Sequence, residues 1–356
     1  MINRINNLRK IIKEENLDGI IITSRPNTLY MTLFPGSASL TYVSMDKTVF
    51  LTDFRYIEFA KKTCGKYYDV MMYEKKPFTF LYDLIKDSDV KKVGFEDSDI
   101  SYLAYQSIHN EFKNIELVGI QAKIDELRLY KDNSEIEKIK HAVKIGDNAF
   151  THILNYLKVG ISEIEVAAEI EYFMKKNGAE KQSFDTIVAS GTRSSLPHGV
   201  PTEKLIESGD GITMDFGAIY EGYCSDMTRT VFVGQPDDKM VEIYNIVLKA
   251  QMMAEENVKV GKSGVEIDKI ARDIIYEAGY EGMFGHGLGH GVGIMVHEEP
   301  RLSTTGKTIM KNKMIVTVEP GIYVPNYGGV RIEDMVVVND DKPIILTSSA
   351  KELIII

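Results

Sequence analysis

The chain has 356 residues and carries 42 Lys and Arg against 52 Asp and Glu, a formal charge of −10. That length favours two domains, each able to bury a core, and the acidic balance argues against nucleic acid or an anionic membrane as the main partner. Cys64 and Cys224 provide no disulfide framework and suit a reducing cytoplasm. Residues 1–18 lack the apolar core of a signal peptide, and no apolar run approaches the ~20 residues of a membrane span.

Residues 1–125 read as an α/β domain. Ile2, Ile5, Leu8, Ile11 and Ile12 recur at helical spacing, and Gly19-Ile-Ile-Ile-Thr23 then reads as a buried strand. Two apolar stretches within 40–53, split by Met45-Asp46-Lys47, predict a hairpin, and 56–64 returns to helix. Lys91-Lys-Val-Gly-Phe95 and Ile115-Glu-Leu-Val-Gly119 are further strands around a helix at 101–112. This alternation predicts a mixed sheet covered by helices. Gly36-Ser-Ala-Ser39 reads as a turn, and no phosphate-cradling glycine loop is evident.

The charged stretch 123–133 marks the boundary, so the second domain is expected over 126–356. Ser134 and Glu137 have the spacing of a capping box opening a long helix with Ile136, Ile139, Val143, Phe150, Ile153 and Leu157 on one face. Ser162 with Glu165 repeats the signal, and Gly178 ends that helix. Lys158-Val-Gly-Ile-Ser-Glu-Ile-Glu165 returns as Lys259-Val-Gly-Lys-Ser-Gly-Val-Glu266. Each copy is followed by an amphipathic helix, a glycine-containing stretch ending in His198 or His297, and a hairpin of acids. Residues 134–350 therefore read as two halves, which a pseudo-twofold axis would bring face to face. The closing Leu353-Ile-Ile-Ile356 is expected to be a last buried strand.

Thr213-Met-Asp-Phe-Gly-Ala-Ile-Tyr220 and Thr317-Val-Glu-Pro-Gly-Ile-Tyr323 match across the two halves. Each places a carboxylate, Asp215 or Glu319, in an apolar strand, and the strand that follows carries Asp226 or Glu333. A turn near Glu221-Gly222 would set residue 215 opposite about 228, leaving Asp215 and Asp226 as diagonal neighbours on one face. Four buried acids repel unless they are protonated, hydrogen-bonded or bridged by a cation. Residues 284–297 add His286, His290 and His297 among five glycines, a composition that excludes a stable helix and a helical zinc site. Carboxylates with imidazole suit two adjacent divalent cations such as Mn²⁺, Co²⁺ or Zn²⁺, and metal-assisted hydrolysis follows as the expected chemistry. Cys224, between the acids, reads as packing that faces away from them.

Ser190-Gly-Thr-Arg-Ser-Ser-Leu-Pro-His198, Met214-Asp-Phe-Gly217, Ser225-Asp-Met-Thr-Arg229, residues 285–293, Val318-Glu-Pro-Gly321 and Val330-Arg-Ile-Glu-Asp334 together resemble the pita-bread metallopeptidases, family M24, in the branch of prolidase and aminopeptidase P. The resemblance spans essentially the whole chain. It implies a mixed-sheet α/β domain at 1–125 followed by a pita-bread catalytic domain at 126–356. It also implies that Asp215, Asp226, His290, Glu319 and Glu333 hold the two ions, with Asp226 and Glu333 bridging them. Glu319 would be the general base toward a water between the ions, and His198 and His297 would steady the scissile carbonyl and its oxyanion. His286 would line the pocket, and Arg331 would support the site or pair with a ligand carboxylate.

The implied substrates are small peptides with proline after the scissile bond. Ser24-Arg-Pro-Asn-Thr-Leu-Tyr30 and Thr52-Asp-Phe-Arg-Tyr56 look like this branch as well, in which the N-terminal domain forms much of a homodimer contact and partly closes the active site. The full N-terminal domain argues against methionine aminopeptidase, and the complete ligand set against creatinase-like members without metal. A non-catalytic peptide-binding module of the same fold should retain no metal. An Xaa-Pro dipeptidase is favoured over an Xaa-Pro aminopeptidase because the N-terminal domain is compact.

Overall fold

Chain contacts part after Arg128. The structure, a computed structural model that describes residues 1–74 and 76–356, divides into units Met1–Arg128 and Leu129–Ile356. The first unit contains helices α1 (Ile2–Glu14), α2 (Arg25–Thr32), α3 (Ile57–Cys64), α4 (Pro77–Ile85), α5 (Tyr102–Glu111) and α6 (Gln121–Asp125). Its strands are β1 (Gly19–Ile22), β2 (Leu40–Ser44), β3 (Thr48–Thr52), β4 (Asp69–Met72), β5 (Lys92–Phe95) and β6 (Glu116–Gly119), in sheet order β4-β3-β2-β1-β5-β6. Central β1 pairs antiparallel with β2 and parallel with β5. It is buried along its whole length, which is why its sequence is apolar without alternation. The β2–β3 hairpin turns at the expected place, with Val43 opposite Thr48.

The second unit opens with α7 (Asn133–Leu154) and α8 (Glu163–Lys176). Strands β7 (Ile187–Ser190), β8 (Asp210–Phe216), β9 (Ile219–Tyr220), β10 (Tyr223–Cys224) and β11 (Met227–Val233) follow. The second half repeats the order with α9 (Asp238–Glu255) and α10 (Gly264–Glu277), then β12 (Gly289–Gly291), β13 (Glu298–Leu302), β14 (Ile315–Val318), β15 (Gly321–Val324), β16 (Gly328–Arg331), β17 (Asp334–Val337) and β18 (Ile344–Ile345). Sheet β11-β8-β7 packs under α7 and α8 through Phe150, Ile170, Met214 and Val231. Sheet β13-β12-β14-β17-β18 packs under α9 and α10 through Val247, Ile275, Val316 and Val336. A third cluster draws Ile139, Tyr223, Cys224, Val292, Ile315 and Met335 from both halves and so joins them.

The predicted capping boxes at Ser162 and Ser263 form: each serine accepts the N3 amide and each N3 glutamate returns the bond. The α7 box lies two residues earlier than the sequence reading placed it. Asp132 is the cap and Glu135 closes the box; Glu135 is buried and takes the Tyr223 hydroxyl at 3.0 Å, whereas Glu137 pairs with Lys140 in solvent. The last residues do pair alongside β11, with Phe232 N–H donating to Ile354 O and Ile356 N–H to Phe232 O. The run is only partly buried, however: Leu353 and Ile354 pack against the two main cores, whereas Ile355 and Ile356 remain 44% and 40% exposed at the sheet edge. Among the described residues, no helix is long and apolar enough to cross a membrane.

Candidate metal centre

The first acidic hairpin has the predicted register. Asp215 lies opposite Thr228 on β8 and β11, and the turn residues Glu221 and Gly222 both take left-handed backbone angles, at φ 45° and 77°. In the second hairpin Val318 faces Asp334 and Gly321 faces Arg331, and the same register carried through sets Glu319 directly across from Glu333. The two are not bonded to each other through the backbone. Glu319 N–H donates to Leu288 O and Glu333 N–H to Thr228 O, so the chain opens at this point and ties each acid to a neighbouring strand.

The histidine segment reaches the same place by close packing. A Cβ on Gly289 would lie 2.0 Å from Thr317 O, and one on Gly291 would lie 2.1 Å from Glu299 O. Only glycine permits β12 to sit this close to its neighbours, with His290 between the two turned the other way. His290 Nδ1 is 3.1 Å from Gly291 O, which fixes the proton there and leaves Nε2 as a bare lone pair. That lone pair faces Glu319 Oε1 at 3.3 Å and Asp226 Oδ2 at 3.6 Å. Burial holds the imidazole down to about 3, so it is neutral.

A neutral nitrogen lone pair aimed at carboxylate oxygens repels them unless a carboxyl is protonated or a cation lies between. The acids make the same demand. Burial, then the Glu333 charge, pushes Asp226 well above the carboxylate range; burial, then Glu319, does so for Glu333. Glu319 is pushed up to about 8, chiefly by burial. Asp215 Oδ1 and Glu333 Oε1 are buried with no hydrogen-bond partner among the described residues. Asp226, His290 and Glu333 each offer a donor atom, all within 4.8 Å of one another. This oxygen-rich set with one imidazole fits a divalent cation.

All nine residues singled out by sequence line one cavity of 520 Å³: Asp215, Asp226, His290, Glu319, Glu333, His198, His286, His297 and Arg331. They differ in what they present. Arg331 is buried; its Nη2 donates to Asp215 Oδ2 at 2.7 Å, its Nε to Thr228 Oγ1 at 3.0 Å and its Nη1 to the Tyr323 hydroxyl at 2.9 Å. His286 has both ring nitrogens engaged, Nδ1 with Gly287 O and Nε2 with the Tyr323 hydroxyl, each at 2.8 Å. It therefore walls the cavity and has no nitrogen to spare. His198 and His297 are exposed at the wall. Burial, then the Arg301 charge, holds His297 below its ordinary value, which leaves it a neutral donor.

Sequence reasoning missed the groups between these residues. Thr228 Oγ1 donates to Glu333 Oε2 at 2.7 Å and Thr317 Oγ1 to Glu319 Oε1 at 3.1 Å. Tyr323, which links Arg331 to His286, could have been found from its place in the repeated motif. Arg301, Phe184 and Asp185 also line the cavity, and nothing in their local sequence marked them. Cys224 packs between the halves, where burial raises its thiol, and takes no part in the cavity wall.

The chain is 41% identical to the Xaa-Pro dipeptidase of Pyrococcus furiosus, over 99% of this chain and 100% of that one. The solved Xaa-Pro dipeptidase from Bacillus anthracis superposes with a TM-score of 0.97 at 44% identity, covering 100% of this chain and 99% of that one. The X-Pro aminopeptidase from Thermotoga maritima MSB8 gives 0.91 at 37% identity, covering 96% and 98%. The creatinase/prolidase N-terminal domain matches residues 4–130. Because the family description of metallopeptidase family M24 matches residues 137–340, more than half of the chain and the whole carboxylate–histidine cluster, this protein belongs to that family of metal-dependent peptidases.

Proposed function

We propose that the chain is an Xaa-Pro dipeptidase whose five donors, Asp215, Asp226, His290, Glu319 and Glu333, hold two divalent ions. The metal reading is carried by the cluster of buried, unpaired carboxylate oxygens facing a bare imidazole nitrogen. Divalent ions bound there supply Lewis acidity and make a water acidic enough to ionise near neutral pH.

The remaining work falls to side chains. Glu319 takes a proton from the attacking water and delivers it to the proline nitrogen as the bond breaks. His198 and His297 donate to the carbonyl oxygen as charge develops on it. Arg331 holds Asp215 in place. A bond to proline has no N–H to grip, so the substrate must be recognised at its ends. Arg301 supplies a cation on the cavity wall whose ion-pair neighbour, Glu299, is 3.9 Å away, and a free proline carboxylate is its natural partner. That favours the dipeptide over a longer peptide, in which the charge is lost. The printed names of the Pyrococcus furiosus and Bacillus anthracis relatives support the same choice.

The same reading includes Mn²⁺, Co²⁺ or Zn²⁺ as the ions and a cytoplasmic homodimer, which light scattering would test directly. The activity test is hydrolysis of Ala-Pro beside Ala-Pro-Ala after chelation and readdition of Mn²⁺ or Co²⁺. Cleavage of the dipeptide alone is expected. Cleavage chiefly of the tripeptide would make the chain an aminopeptidase like its Thermotoga maritima neighbour, and cleavage of neither with metal bound would refute the proline reading.

A further inference from the structure

Arg229 is one of the largest fully buried side chains, and every arm of its guanidinium is engaged. It follows Thr228 on β11, whose side chain faces the carboxylates, so Arg229 leaves by the opposite face. Nη1 donates to the main-chain oxygens of Thr228 and Glu333, Nη2 to Asp334 Oδ1 at 2.7 Å and to Ser349 O at 2.8 Å, and Nε to Ala350 O at 2.9 Å. Asp334 likewise alternates with Glu333. Its Oδ2 receives Lys351 Nζ at 2.6 Å and Gln251 Nε2 at 3.0 Å, and the same Nζ reaches Glu255 Oε2 at 2.7 Å.

The chain end is pinned elsewhere as well. The Asp147 carboxylate takes both the N–H and the O–H of Ser348 and Ser349. A buried arginine could hold a chain end from any strand. This one holds the two carbonyls that frame the metal carboxylates: Thr228 O already accepts Glu333 N–H, and Thr228 Oγ1 holds Glu333 Oε2. Any rotation of the 333–334 peptide moves the Glu333 carboxylate on one face and Asp334 on the other.

We infer that Arg229, Asp334 and Lys351 form a positioning array for Glu333, through which the C-terminal segment helps to set metal affinity from the face opposite the site. This rests on the metal reading above. Groups that orient metal ligands typically change affinity about 10- to 100-fold when removed.

The test compares Lys351→Met and Arg229→Lys with the parent protein after chelation. Mn²⁺ is titrated calorimetrically, and the metal-free melting temperatures are measured alongside. Lys351→Met removes the charge that fixes Asp334; Arg229→Lys keeps the charge but lacks the fork that reaches both carbonyls. The Kd for Mn²⁺ should rise about tenfold or more in both, with kcat recovering at saturating Mn²⁺ because the reacting groups are intact. Melting temperatures that fall while the Kd stays that of the parent protein would overturn the inference, since that is what a purely structural strut gives. If Arg229→Lys does not fold, Lys351→Met, partly exposed on the surface side, decides the matter alone. A parent protein that takes up no Mn²⁺ refutes the metal reading itself, an outcome distinct from unchanged affinity in the variants.

Discussion

Replacing Arg301 with methionine keeps the aliphatic stem and removes the cation from the cavity wall. The side chain is 45% exposed, so its attraction for a substrate carboxylate is partly screened. Two unit charges about 4 Å apart are worth about 4 kcal/mol at an effective dielectric of about 20, and about half that in the wetter setting of a half-exposed group. The lower figure, ~2 kcal/mol, is a factor of about 30 in kcat/KM. The assay pairs Ala-Pro with Ala-Pro amide, which differ in the carboxylate alone. Arg301→Met should lower kcat/KM for Ala-Pro about 30-fold, mostly through KM, and leave the amide within about threefold. Inhibition constants replace rates if the amide turns over too slowly to follow. Equal losses on both substrates would show that Arg301 shapes the site without reading the carboxylate, and no loss on either would remove it from recognition altogether.

Glu319→Gln should cut kcat by about 10³-fold, within the range for loss of a general base, and elemental analysis should still find metal with the other four donors; near-normal turnover would reassign the base. His286 is held down to about 4 by burial and then by Arg331, so it stays neutral in the folded state while the unfolded chain protonates below its ordinary value of 6.5. Stability therefore falls as pH drops through 6.5 toward 4, by about 1.4 kcal/mol per unit or ~2 kcal/mol from pH 7 to 5; urea unfolding should show this loss in the parent protein and a shallower one in His286→Gln. Cys224→Ala should keep kcat/KM within about twofold and cost about 1 kcal/mol of stability, and a large activity loss would contradict its assignment to packing.

The elements, the four acids and the histidines were legible because they rest on local rules and the internal repeat, whereas Arg331 came only from the family resemblance. Helical spacing, the S-x-x-E starts and alternating strand faces need no knowledge of distant contacts. The α7 start slipped by two residues because Asp132 and Ser134 both stand three residues before a glutamate, and the choice was made by burial of Glu135 against Tyr223, a contact 88 positions away in sequence. The C-terminal isoleucines misled for the opposite reason. An apolar run of that length usually packs throughout, but here backbone bonding to β11 places it on an edge, where Leu353 and Ile354 reach the cores and Ile355 and Ile356 are left in solvent. Arg301 and Asp185 could not be read at all, since a single charge in a short strand or loop looks the same whether it faces water or a cavity.

The partners of the acids were hidden for a further reason: the two halves are not equivalent. Asp226 follows Asp215 across a hairpin closed by Glu221 and Gly222, whereas Glu333 follows Glu319 across the longer β15–β16 hairpin. That hairpin carries Tyr323 and Arg331, and both act on groups outside it: Arg331 reaches back to Asp215 in the first half, and the Tyr323 hydroxyl holds His286 Nε2, whose partner nitrogen is tied to Gly287 O. The first half returns the support, since Thr228 donates to Glu333 and Arg229 holds its carbonyl. Matching one half against the other reveals the carboxylates, which both halves keep, and conceals Arg331, Thr228 and Arg229, each of which serves an acid of the opposite half. A cluster of like charges built this way cannot be assembled by either half alone, so its geometry forms only when the halves have packed across Ile139, Cys224 and Met335. Metal affinity should then respond to changes in that shared core as well as to changes in the ligands.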